Sequence, residues 1–405
     1  MNAICTICAK NYLPHAITLG DSVKKFHPEI DFYILLSDEI EGHTINTNGH
    51  ILVEAKDINV PDYYQLAYKY DVIEFSTSVK PYFLDYLFIN KQYDKILYLD
   101  PDMVVYNSLN YLFEKLDNYT ALLTPHIIKP YIKNMGVTTE EEALFVGIYN
   151  LGFFGVKNNS VGRHIVAWWK EKLYDQCFGD KEDALHVDQR WMDYLPALYR
   201  ENVLILDHPG VNHAFWNFHE REFIDKEAEY SVDGKELVIF HFSGFDANNY
   251  RGMCKKQDWY TLDNMPQYER LFTEYLEQLK KNSLNTLSVL RYKYNQYDND
   301  VFILKYQRRL FRALDCDTKL LYPNPFLTGT GSYYELLSKK GLMIYDKKGE
   351  LMVLKKKFTN PDGMVNKMLL ALTIFKKIVG IKRYYLLMRF MAIYSRFEKQ
   401  TFLLK

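Results

Sequence analysis

The chain has 405 residues, 48% hydrophobic and 25% charged, with a net charge of −1. This length allows two or three domains, the composition excludes a mainly disordered chain, and the near-zero charge excludes a nucleic-acid binder held by bulk positive potential. The charge is uneven: residues 365–405 set nine Lys and Arg against the single acid Glu398, a net +8 that leaves −9 on the first 364 residues.

The chain opens Met1-Asn-Ala-Ile-Cys5 without a basic region leading into a long apolar stretch, so no secretory signal is read there. No run of about 18 apolar residues predicts a spanning helix. Five cysteines, sparse and odd in number, fit a reducing cytoplasm. Cys5 and Cys8 form a CxxC, but the other three cysteines are isolated, so the pair reads as structural thiols rather than half of a four-ligand zinc site.

In chain order, Ala3–Thr6 predicts a strand and Leu13–Phe26 a helix with Pro14 in its first turn. Phe32–Leu36 and Ile51–Glu54 predict strands, Tyr63–Tyr86 helix in two pieces, and Lys95–Leu99 a short buried strand. Thr120–Thr124, Leu151–Val156, Val203–Leu206 and Leu237–Phe242 read as further strands, with helices over Val161–Tyr174 and Val187–Leu195. Alternating strands and helices predict an α/β layer with a largely parallel sheet. After about residue 255 the pattern changes: Trp259–Leu284 reads as helix, and turns stand at Tyr322-Pro323-Asn324-Pro325 and Asn360-Pro361-Asp362-Gly363. The expected division is 1–255, a mainly helical 256–364, and a basic helical 365–405.

The most informative segment is Lys95-Ile-Leu-Tyr-Leu-Asp100-Pro-Asp102. An apolar strand delivers two carboxylates at i and i+2, a spacing that in extended backbone puts both on one side. Ligands of open α/β sheets bind at the carboxyl ends of strands, and two hard oxygens there suit Mg²⁺ or Mn²⁺. The competing reading is a solvated Asp-Pro-Asp turn. A second apolar strand, Leu237–Phe242, ends on His241 and Gly244, a nitrogen ligand for the same ion and a site of close backbone approach. Asn150-Leu-Gly152 and Asp188-Gln189 are polar at the edges of otherwise apolar elements.

With these segments in their order and spacing, residues 1–250 resemble nucleotide-sugar glycosyltransferases of the GT-A fold, most closely the retaining family 8 type, and stretches such as Trp168-Trp169 and Pro209–Arg221 are similar to a distinct bacterial group that makes surface glycans. The resemblance implies a GT-A domain followed by a mainly helical region. It implies metal-dependent sugar transfer from a UDP-linked donor to a glycan, lipid-linked or protein acceptor. Thr6, Asn11 and Tyr12 then lie at the nucleoside, Lys80 reaches the donor, Asn150 and Gly152 lie near the donor sugar, and Asp188 and Gln189 near the anomeric carbon. Asp100, Asp102 and His241 hold the ion, with Gly244 beside the diphosphate. Two departures stand out. Where the family commonly has a diphosphate-clamping lysine this chain has Ala247, leaving Arg251 or Lys255 as replacements, and Lys80 stands where an arginine is usual.

Other readings compete. Asp100-x-Asp102 also fits the nucleophile loop of a haloacid-dehalogenase-type phosphatase, although about 95 residues precede it. A non-catalytic sugar-binding module is the third. Of 34 Tyr and 25 Phe most are expected in the core, with Trp216, Phe218 and His219 as candidates for sugar contact. The basic tail mixes Lys and Arg with large apolar residues, a composition expected of a peripheral membrane contact at the cytoplasmic face, of a terminal helix packed on the enzyme, or of a subunit interface.

Overall fold

The computed structural model describes residues 1–130, 139–227, 229–343 and 363–405. Asn360, Pro361 and Asp362 of the expected second turn lie outside them, as does part of the 256–364 region. The chain divides into two compact units, Met1–Pro61 with Val72–Lys293, and Asp62–Asp71 with Tyr294–Lys405.

The first unit is an α/β layer. Its strands are β1 (Asn2–Cys8), β2 (Asp31–Leu36), β3 (Ile51–Glu54), β4 (Lys95–Leu99), β5 (Met103–Val105), β6 (Ala121–Leu123), β7 (Phe153–Lys157), β8 (Gly179–Asp180), β9 (Leu185–His186), β10 (Val203–Ile205), β11 (Phe223–Asp225), β12 (Tyr230–Val232), β13 (Lys235–Glu236) and β14 (Ile239–His241). Seven form the main sheet in the order β10-β6-β7-β4-β1-β2-β3. The sheet is parallel except at β7, which runs against both β4 and β6. The near-continuous apolar runs of β1, β2 and β4 are those of strands covered on both faces, and the edge strands β3 and β10 are partly exposed.

The helix Leu13–Phe26 begins with Pro14, whose missing N–H costs nothing in a first turn. It packs Leu13, Ile17 and Val23 with Ile4, Ile34, Leu97 and Leu99 in one core. A second core is aromatic: Phe218, Phe223, Phe240 and Phe242 meet Tyr268, Phe272 and Tyr275, and Phe242 stacks on Tyr275 with ring centroids 3.8 Å apart. Phe218 belongs to this core, 4.4 Å from the Tyr268 ring.

Helical elements differ from expectation mainly in length. The segment expected as two helical pieces forms three, Tyr63–Lys69, Val72–Ser78 and Lys80–Ile89. The helix expected from Trp259 is Glu269–Lys281, because Gln257 and Asn264 side chains bond the backbone around Trp259 and Tyr260 and offer it an alternative to helix. In the second unit Arg308, buried on the helix Lys305–Arg312, donates to the carbonyls of Ala67 (3.1 Å), Tyr68 (2.7 Å) and Tyr70 (2.7 Å). It thereby satisfies orphan carbonyls at the end of Tyr63–Lys69, and the Tyr68 and Tyr297 hydroxyls bond at 2.6 Å in the same unit.

Candidate active site

Three connections bring the polar residues together. Asp100 ends β4 opposite the start of β7, where its N–H donates to the Gly152 carbonyl at 2.7 Å. The chain then turns, with Met103 N–H donating to the Asp100 carbonyl at 3.0 Å, and enters β5. β5 pairs antiparallel with β14 in the register Met103 to His241, and Phe242 N–H closes on the Asp102 carbonyl at 2.8 Å. The two aspartates thus converge through a turn, not through the extended spacing the sequence predicted.

Asp100, Asp102 and His241 each offer one ligand atom, all within 4.8 Å of one another. His241 Nε2 lies 3.1 Å from Asp102 and 4.0 Å from Asp100 Oδ2. The other ring nitrogen, Nδ1, lies 3.2 Å from the Asn212 amide oxygen. An amide oxygen only accepts, so this contact places a proton on Nδ1 and fixes the ring with Nε2 directed at the carboxylates. The Trp216 ring stands edge-on to His241 at 5.0 Å, so this candidate for sugar contact is packed against the imidazole. Tyr98 donates to Asp100 Oδ1 at 2.7 Å and Tyr12 to Asp102 Oδ2 at 3.4 Å. Burial disfavours the Asp102 carboxylate, but the His241 imidazole and the Lys256 ammonium outweigh it and hold its pKa well below the usual range.

Gly152 leaves the room. A Cβ there would come within 2.6 Å of His241 Cε1, 2.7 Å of Asn150 Oδ1 and 2.9 Å of Asp100 Oδ2. Asn150 is held at every polar atom: its oxygen accepts from Gly152 N–H and the Asn212 amide, both 3.1 Å, and its amide faces His126 at 3.2 Å.

Lys80, expected at the donor, is engaged within the protein itself. Its buried ammonium donates to Asp188 Oδ2 at 2.7 Å and the Leu151 carbonyl at 2.9 Å, and lies 4.1 Å from the Tyr98 ring centroid. Asp188 is equally buried, which raises its pKa against the opposing pull of Lys80. Gln189 is fixed at both ends: its Oε1 faces Leu151 N–H (3.3 Å) and the Asn150 amide (3.4 Å), and its Nε2 donates to Val146 O at 2.9 Å. Val187, just before the pair, has φ +42°, a left-handed conformation that a β-branched residue rarely adopts and that costs about 1–3 kcal/mol. Such strain is common where a chain is forced to present side chains.

Thr6 is fully buried within β1. Asn11 is half-buried in the turn after β1, and the Tyr12 ring stacks on His15 at 4.0 Å. Gly244 has φ +75°, and a Cβ on it would meet the Lys256 stem at 3.1 Å. Lys256 Nζ bonds Ser243 Oγ at 2.8 Å, and its charge acts on Asp102 and His186. Neither expected replacement for the missing lysine is placed so. Arg251 binds Asp263 and Glu269, and Lys255 faces Asp246 at 3.4 Å. Lys256, Asn212 and His126 are therefore the residues the sequence reading missed. Only Lys256 had a signal, as the neighbour of Lys255.

Two buried histidines contribute to the acid behaviour of this unit. Burial lowers His15 and His126 from 6.5 to about 4. His15 Nδ1 lies 2.7 Å from the Tyr275 hydroxyl, and His126 bridges Ile148 O and the Asn150 amide. The unfolded chain binds these protons first as pH falls, so their stabilisation is complete above 6.5 and is lost between 6.5 and 4. The loss reaches about 3 kcal/mol per histidine below 4. Urea unfolding at pH 7, 5.5 and 4 is expected to show that decline, shallower in His15→Gln; an identical slope in the variant would contradict it.

No protein-family model matches the chain. Two curated relatives, both uncharacterized proteins of Bacillus subtilis (strain 168), are similar to it. YfnF is 28% identical over 251 residues, 60% of this chain and 82% of the relative, and YfnD is 23% identical over 215 residues, 51% and 65% respectively. Among solved structures, the galactosyltransferase LgtC in complex with donor and acceptor sugar analogs is 16% identical over 72% of this chain and 98% of that one, TM-score 0.41. The glycosyltransferase GlyE of Streptococcus pneumoniae TIGR4 is 17% identical over 73% and 67%, TM-score 0.40. Mouse xyloside xylosyltransferase 1 is 12% identical over 60% and 97%, TM-score 0.36.

Proposed function

We propose that the chain is a metal-dependent glycosyltransferase that moves a sugar, with retention, from a UDP-linked donor to a glycan, lipid-linked or protein acceptor. The observation that carries this reading is the convergence of Asp100, Asp102 and His241 at the carboxyl end of β4. Two carboxylates and one imidazole fit Mn²⁺ or Mg²⁺ by donor type, and Gly152 keeps the space between them clear. Bound there, the ion supplies Lewis-acid stabilisation of a departing diphosphate.

The chain's own residues do the rest. Asn212 orients the His241 imidazole. Lys256, held by Ser243, adds a fixed positive charge beside the site and takes over the part expected of a lysine at Ala247. Asp188 is paired with Lys80 and is thereby disfavoured as a free base for an acceptor hydroxyl. Gln189, its side-chain amide fixed by Leu151, Asn150 and Val146, is the residue assigned beside the anomeric carbon, where its dipole would give electrostatic support to an oxocarbenium-like transition state.

A thermal-shift screen of nucleotide sugars with and without Mn²⁺ tests the reading, since stabilisation follows affinity. One UDP-sugar is expected to give the largest, Mn²⁺-dependent rise in Tm, and proton NMR of the first-formed product is expected to show the donor's anomeric configuration. An inverted product would refute retention. Cleavage of simple phosphomonoesters without any nucleotide-sugar shift would favour the phosphatase reading, and sugar binding without turnover the binding module.

A further inference from the structure

The helix Met364–Tyr394 exposes most of its apolar side chains, Ile378 at 76%, Ile381 at 69% and Leu370 at 61% among them. An isolated surface helix keeps such residues on one buried stripe; a row of them in water marks a surface that another phase or molecule covers. Cations interleave them: Lys376, Lys377, Lys382 and Arg383 flank Gly380, whose φ of +80° and ψ of 161° break the helix into two shorter pieces. Glu398, the single acid of 365–405, is already engaged by Arg312 (3.2 Å) and Arg309 (3.4 Å). No helix among the described residues is long and apolar enough to cross a membrane.

We infer that this broken helix docks on an anionic lipid bilayer, lying in the plane of the interface. Its apolar side chains enter the acyl boundary and its Lys and Arg rest on headgroup phosphates. Charge selects this occupant. A second copy of the helix would set one strongly cationic surface against another, whereas an anionic surface is complementary. The first 364 residues carry a net −9, so the cationic surplus that suits an anionic surface lies in this segment. The inference does not depend on the sugar-transfer reading.

The full-length chain is tested by flotation with phosphatidylcholine vesicles, alone or with about 30% phosphatidylserine, at about 0.1 M salt. Recovery with the anionic vesicles is expected to be about tenfold higher or more, and to fall at about 0.5 M salt. Lys376→Glu combined with Lys377→Glu, Lys382→Glu and Arg383→Glu is expected to lower it about tenfold or more. Ile378→Ser with Ile381→Ser keeps the charge and is expected to weaken binding as well. The substituted residues are exposed, and unchanged thermal unfolding checks both variants. Equal recovery with neutral vesicles, or undiminished binding by the charge variant, would overturn the inference. So would a dimer in sedimentation that the isoleucine variant dissociates while vesicle binding stays unchanged.

Discussion

Asp102→Ala is expected to lower sugar transfer by about 10²–10³-fold or more, and to abolish the Mn²⁺-dependent rise in Tm. The residue faces His241 Nε2 at 3.1 Å and accepts from the Tyr12 hydroxyl, so it is the donor on which the proposed ion site is centred. A bound ion's Lewis acidity is worth several kcal/mol in the transition state, and each 1.4 kcal/mol or so is tenfold in rate. Asp102→Asn, which keeps shape and removes charge, is expected to lose most of the same activity. Turnover against Mn²⁺ concentration and thermal shift on the same samples check this. A variant that keeps its metal-dependent shift would place the ion elsewhere.

The second large effect is on stability. Lys80→Met is expected to destabilise the protein by about 3–5 kcal/mol, because it leaves Asp188 charged or forcibly neutralised in a buried site without its cation. The loss includes the bond to the Leu151 carbonyl. Adding Asp188→Asn to Lys80→Met is expected to recover part of the loss, since the two residues are in contact and their effects are not additive. Urea unfolding of both singles and the double measures the coupling. If Lys80→Met costs under about 1 kcal/mol and instead raises KM for the donor, the ammonium contacts substrate as the sequence resemblance implied.

The difference between these residues shows where reading along the chain stops. Asp100 and Asp102 are local to one apolar strand end, so their candidacy was visible in ten residues of sequence. Lys80 was identified as chemically relevant, but its partner is more than one hundred positions away, and nothing in the local pattern separates an ammonium facing a donor from one facing a buried carboxylate. Likewise Lys255 and Lys256 are adjacent and alike in sequence, and only the fold turns one toward Asp246 and the other toward Ser243 and the site.

By itself the sequence determined the α/β layering, because the period of apolar residues reports which faces a strand or helix buries. It also determined the cationic tail, since charge is additive along a chain whatever its shape. Tertiary structure alone decided that β7 runs against its neighbours, and that β14 pairs with β5 in the one register that sets His241 beside Asp102. Strand direction and register are settled by pairing between distant segments, and a shift of one residue would turn the imidazole to the opposite face of the sheet.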